Sequence, residues 1–199
     1  MAEAHAAAHD DPNIGITGLD HRKLGMWAFL GSECMFFGSL IATYMAFKGR
    51  STSGPQPHEI LNIPLTSIST LVLLMSSLLM ALALAAAQRD DRSSMKLWLF
   101  ATPFFGAIFL GFQAYEFTTF VEQGLTLQVN LFGGSFFLLT GFHGAHVGVG
   151  VIWLLTLWMM AMRNQLTSHD AILVEIAGLY WHFVDIVWIV IFTFVYLLQ

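Results

Sequence analysis

Seven ionisable side chains in this sequence stand where none is expected. Glu33, Glu116, Glu175, Asp185, His143, His146 and His182 all fall inside long apolar runs, and no Lys or Arg shares those runs. An ionisable group in such surroundings is costly unless it faces protein or a wet cavity. Proton handling, metal or haem ligation, headgroup binding and hydrogen bonding between helices are the chemistries such groups can serve. His143 and His146 are three residues apart and share one side of a helix, and His182 and Asp185 repeat that spacing. A carboxylate-bridged di-iron site wants Glu-x-x-His pairs and further Glu residues, so His-x-x-His and His-x-x-Asp match it poorly. Haem held by two facing histidines needs less and stays open. So does the plainer reading, in which neutral imidazoles tie helices together by donating at one nitrogen and accepting at the other. Glu33 and Asp185 fit that plain reading less well, because Asn or Gln would serve as interhelical glue. Glu33 is therefore a candidate for proton handling or headgroup binding.

The elements that carry these residues follow from composition. Of 199 residues, 56% are hydrophobic and 11% are charged, against roughly 25% charged in an average soluble domain. Mean hydropathy is +0.68. Nucleic-acid binding wants a basic face, and the net charge is −5. Cys34 is the only cysteine, which excludes a disulfide scaffold and any CxxC or CxxCH motif. Five runs reach the ~20 residues that a membrane span needs: about Leu24 to Phe47, Pro64 to Gln88, Leu97 to Val121, Phe132 to Met162 and Ile172 to Leu198. Unbroken stretches such as IVWIVIFTFVYLL favour helices over barrel strands. The expectation is an all-α bundle of five transmembrane helices over residues 24–199, preceded by a polar tail over 1–23. The tail lacks the apolar core of a cleavable signal, so the first helix is expected to direct insertion.

Local punctuation agrees. Pro64 suits the first turn of the second helix, and Ser93 or Ser94 could cap the third. Gly134, Gly141 and Gly148 recur every seven residues, with Gly144 four before Gly148, a spacing that admits a neighbouring backbone. The 18 Phe and six Trp read mostly as lipid-facing or interfacial, with Trp98 and Tyr196 in the aromatic belt. Cys34 is expected to be inert, and His5 and His9 are a weak surface chelator.

The basic residues orient the bundle. Arg22, Lys23, Arg89, Arg92, Lys96 and Arg163 fall on one side, and Lys48 and Arg50 on the other. Six against two puts the amino terminus in the cytoplasm and Gln199 outside. On that frame Glu33 lies about 13 Å from the cytoplasmic end, and His143 and His146 about 17–21 Å in from the outer one. His182 and Asp185 are also near midplane, so five groups are expected to converge there. Glu175 belongs near the cytoplasmic face and Glu116 near the outer one. His143 and His146 are the expected partners of Glu33.

Three of these segments carry a resemblance. LGMWAFLGSECMFFGSLIATY, TGFHGAHVGVGVIWL and YWHFVDIVWIVIFTFVYL resemble subunit III of the haem-copper oxidases, and GAIFLGFQAYEF is similar to that family's Gln-x-x-Glu-Phe stretch. It runs from about Leu24 to Leu198. The resemblance implies a multi-pass subunit, in a bacterial cell membrane, of a proton-pumping terminal oxidase that reduces oxygen to water. It implies haem and copper on partner subunits and none on this chain, packing against catalytic subunit I, structural phospholipid in a cleft, and support of proton uptake and catalytic lifetime. Glu33 matches the family's mid-membrane acid after Ser32, and Glu116, His143, His146, His182 and Asp185 match its other intramembrane polar positions. Relative to the family's seven-span form the first two spans are missing, which affects the lipid cleft unless another subunit supplies that pair. Quinol oxidases use a similar five-span subunit, and Glu33 rather than Asp leans towards the cytochrome c type. A stand-alone carrier and a haem-bearing membrane cytochrome remain the alternatives of other classes.

Overall fold

The computed structural model describes residues 20–48, 61–166 and 170–198. His5, His9 and most of the polar tail, Arg50 with most of the first loop, and Gln199 lie outside the described residues. Five long helices form: α1 His21–Phe47, α2 Ile63–Gln88, α3 Arg92–Glu122, α4 Leu131–Met162 and α5 Ala171–Phe192, the last running into a π-helical turn over Thr193–Leu197. All five are long and apolar enough to cross a membrane, and no strand occurs among the described residues. The third helix starts earlier than its hydropathy suggests. Arg92 and Lys96 lie in its first turns, as Arg22 and Lys23 lie in the first turn of α1. The apolar run locates the lipid-crossing part, whereas the cap decides where helix begins.

Those caps are side-chain chemistry. Asp20 accepts from the Arg22 amide at 2.8 Å, Asn62 from Leu65 at 3.1 Å, and Asn130 from Gly133 at 2.6 Å. Neither Ser93 nor Ser94 caps α3. Asp91 does so, accepting from the Ser94 amide at 3.1 Å. Three helices close in the same way, with a left-handed residue just beyond the end: Asp90 at φ 55°, Gly124 at φ 86° and Asn164 at φ 54°. Each sends its amide back to the helix, and the following amide reaches one carbonyl further, as Asp91 does to Ala86 and Leu125 to Phe120. These paired bonds satisfy carbonyls that a helix end leaves open.

The α2–α3 hairpin is the most extensive helix pairing. α5 packs on α2 and α4, α3 packs on α4, and α1 lies chiefly against α4 and α5. The helices differ greatly in how much they bury. α1 buries only Leu30, Phe37 and Tyr44, seven residues apart. α5 buries eleven residues, Trp181 and Trp188 among them. Trp181, Trp188 and five Phe side chains are buried, while the other Phe and Trp are exposed or half-exposed. Tyr196 is 2% exposed and contacts Phe136, Trp188 and Phe192, so its expected place at the interface is corrected. Trp98 is half-buried against the core.

Candidate functional site

The seven ionisable residues fall into separate seams between helices. On α1, Glu33 Oε2 stands 3.3 Å from His146 Nε2 of α4. The other ring nitrogen, His146 Nδ1, is 2.7 Å from the Phe142 carbonyl, one turn back on α4. A carbonyl only accepts, so Nδ1 carries the hydrogen. Nε2 then faces a carboxyl oxygen, and that contact is favourable only when the pair holds one further proton, on the ring or on the acid. Glu33 Oε2 is buried and has no hydrogen-bond partner among the described residues. The Tyr180 hydroxyl of α5 donates to the His146 carbonyl at 2.9 Å and fixes this stretch of α4 against its neighbour. Beside the pair lies an open apolar cavity of about 380 Å³, lined by Phe29, Phe142, His146, Val149, Trp153 and Tyr180.

His143 does not join this pair. Its ring stacks on Trp188 at 4.8 Å and meets the edge of Phe109 at 5.9 Å, fully enclosed, with neither nitrogen hydrogen-bonded. Three residues on a helix still rotate the side chain by about 60°, enough to aim His146 at α1 and His143 into the α3–α5 interior. His182 and Asp185 form a further group. Ser77 of α2 is 2.7 Å from His182 Nδ1, while both Asp185 carboxyl oxygens are buried without a hydrogen bond among the described residues. The expected convergence of five groups is therefore corrected to a shared depth in different seams. Glu175 sits at the helix end and pairs with Lys23. Glu116, 4% exposed, is hydrogen-bonded to Thr66 of α2.

The glycine pattern is also corrected. A methyl group at Gly141 or Gly148 would meet nothing within 4 Å, and at Gly134 only the Leu127 carbonyl at 3.1 Å. Gly144 is the one predicted glycine in tight contact with another helix: a methyl group there would lie 2.6 Å from Gln113 Oε1, whose side-chain amide donates to the Thr140 carbonyl at 2.7 Å. Gly106 and Gly150, which sequence reasoning missed, make room for the Trp181 ring, since a methyl group at either would lie 2.6 or 2.8 Å from it. Also missed was the hydroxyl row of α2. Thr70 accepts from Trp188 Nε1 at 2.9 Å and Ser76 from Trp181 Nε1 at 3.0 Å. The signal was present, since Thr66, Ser69, Thr70, Ser76 and Ser77 recur at helical spacing.

The family described as cytochrome c oxidase subunit III matches residues 16–199. The chain belongs to that family. Cytochrome c oxidase subunit 3 of Bacillus sp. (strain PS3) is 41% identical over 178 residues, 89% of this chain and 86% of the relative. The probable quinol oxidase subunit 3 of Staphylococcus saprophyticus is 38% identical, covering 88% of each chain. Quinol oxidase subunit 3 of Bacillus subtilis is 37% identical over 88% of this chain and 86% of its own. As a subunit III, the chain is a non-catalytic, multi-pass membrane component of a bacterial oxidase complex, and its partners are other oxidase subunits. The stretches that carried the resemblance have distinct places in this subunit III. SEC puts Glu33 in the α1–α4 seam, and HGAH divides its histidines between two seams. YWHFVD supplies the Trp181 ring and the His182 imidazole that α5 turns towards Ser76 and Ser77 of α2, and QAYEF sets Gln113 and Glu116 one turn apart on α3.

Proposed function

We propose that this subunit III packs against the catalytic subunit I of a cytochrome c-type oxidase, holds phospholipid, and sustains proton supply to that subunit. In this reading the amino terminus is cytoplasmic and the haems and copper reside on partner subunits. The observation that carries it is the Glu33–His146 contact at 3.3 Å, about 18 Å into α1 and beside an open apolar cavity. The cavity suits an acyl chain, and the pair suits an exchangeable proton or a headgroup donor. Separation of the histidines supports placing redox centres elsewhere. His143 is enclosed by two aromatic rings, His182 is engaged by Ser77, and His146 faces α1. The quinol-oxidase relatives favour a second reading in which the complex takes electrons from quinol. Purified complex assayed with reduced cytochrome c and with quinol separates the two.

The test of the central reading is Glu33→Gln in reconstituted oxidase. The amide keeps size and hydrogen bonding, so assembly is preserved. It cannot exchange a proton, so sustained turnover or pumping stoichiometry falls. Unchanged turnover lifetime and stoichiometry with intact assembly reduce Glu33 to interhelical glue. Reporter fusions after Gln199 and within 89–96 test the orientation, and a cytoplasmic signal at Gln199 overturns it.

A further inference from the structure

A second acid lies in the opposite half of the bundle, on groups that the Glu33 site does not touch. Glu116 is six residues from the end of α3, about 9 Å below it at helical rise. Thr66 is three residues inside α2, Tyr44 three residues from the end of α1, and Tyr196 in the π turn. The three helix ends and the π turn lie on the same side of the bundle. Glu116 is bonded to Thr66, and the buried side chains of Tyr196 and Tyr44 are neighbours of that bond. Exposure is 4% for Glu116, 0% for Thr66, 2% for Tyr196 and 0% for Tyr44. The Tyr44 hydroxyl is buried with no hydrogen-bond partner among the described residues.

A count of protons decides what Glu116 is. The Thr66 hydroxyl has one proton and stands 3.0 Å from the Asn62 carbonyl, which only accepts. With that proton engaged, the bond between Thr66 and Glu116 takes its hydrogen from the carboxyl. Turning the Thr66 proton towards a carboxylate would instead leave a buried anion with no cation. α1 offers Tyr44, and its Lys48 bonds the Phe194 carbonyl at 3.5 Å. α2 offers Thr66, α4 brings the rings of Phe132 and Phe136, and the π turn brings Tyr196. No ion pair involves Glu116 among the described residues. An uncompensated buried charge costs several kcal/mol, more than a neutral hydroxyl–acid bond.

We propose that Glu116, Thr66, Tyr196 and Tyr44 form a proton-binding site near the outer end of the bundle, in which Glu116 is a neutral acid donating to Thr66. The bound proton is the hydrogen bond that joins α3 to α2, with α1 and the π turn closing over it. The proposal rests on reading the helices as membrane spans, and it is independent of turnover in Glu33→Gln.

Infrared difference spectroscopy on the purified oxidase complex tests it. At neutral pH, wild type minus Glu116→Gln should show one carbonyl band of a protonated carboxylic acid, which moves in heavy water. Thr66→Val should keep the band and shift it, because the acid loses its acceptor. Absence of the band from that difference overturns the proposal. Where Glu116→Gln does not assemble, wild type minus Thr66→Val serves: a derivative-shaped acid band supports the site, and a flat spectrum overturns it.

Discussion

α1 and α5 cross the same bundle and are held in it by different chemistry. α5 is joined to α2 by neutral bonds in the dry interior, Trp181 to Ser76 and Trp188 to Thr70. α1 is joined by groups that carry or exchange charge, Lys23 to Glu175 at one end and Glu33 to His146 midway. A neutral bond of the first kind is worth about 0.5–1.5 kcal/mol net and depends little on pH or salt. An ion pair of the second kind is worth about 0–1 kcal/mol where water reaches it and responds to both. The buried surface differs in the same direction, with three residues of α1 against eleven of α5. α5 is therefore scaffold, and α1 is the element whose attachment can be altered by protons.

The sharpest way to break that contrast is to remove a scaffold ring. Trp181→Ala takes away a fully buried side chain and its bond to Ser76. The expected loss is about 3–5 kcal/mol, read as failed assembly or a large drop in thermal stability of the complex. A loss below that of any α1 variant would reverse the ranking. Gly150→Ala approaches the same ring from the other side, where the added carbon would lie 2.8 Å from it. Overpacking of this kind costs about 1–3 kcal/mol. Gly148→Ala, on the same helix with open space around it, is the control and should stay within about 0.5 kcal/mol.

These glycines show what the sequence could and could not reveal. The five spans were legible because a lipid-crossing helix needs apolar length, whichever way its residues face. For the same reason facing was not legible. A helix apolar all round has no stripe to mark its buried side, so the heptad of Gly134, Gly141 and Gly148 read as an interface that the helix does not use. Depth could be counted from helical rise, and it placed Glu33 and His146 together. Rotation could not be counted without knowing the neighbours, and it sent His143 to Trp188 instead. Tyr196 looked interfacial from its place near a span end. In the π turn its ring packs inward on Phe136, Trp188 and Phe192.

Smaller effects refine the comparison. Trp188→Phe removes the N–H and part of the buried indole, while Thr70 still donates to the Thr66 carbonyl at 2.7 Å. The expected cost is that of one neutral bond and a small cavity, about 1–3 kcal/mol, unchanged between low and high salt. Replacing both Lys23 and Glu175 by Ala should cost about 0–1 kcal/mol and lose its effect as salt rises, since both side chains are about one-third exposed, at 30% and 29%. A salt-independent double mutant would place that pair with the neutral bonds of α5.

The smallest effect belongs to the first turn of α1. Asp20 caps the helix through the Arg22 amide and also meets the Arg22 guanidinium at 2.9 Å. The Arg22 side-chain hydrogen bonds hold the Asp20 carboxyl below its ordinary 3.8. A carboxyl lowered on folding contributes stability that is present above the unfolded value and is lost as pH falls through the folded one. The loss therefore lies below about pH 3.8, with Asp20 fully engaged at neutral pH. Asp20→Asn separates the two roles, because the amide oxygen still caps while the charge is gone. Amide hydrogen exchange of the first turn of α1 should show acid-induced opening in wild type and none in Asp20→Asn. Global stability should stay within about 0.5 kcal/mol in both. Acid opening that persists in Asp20→Asn would assign the pH response of α1 to a group deeper along the helix, with Glu33 the next acid it carries.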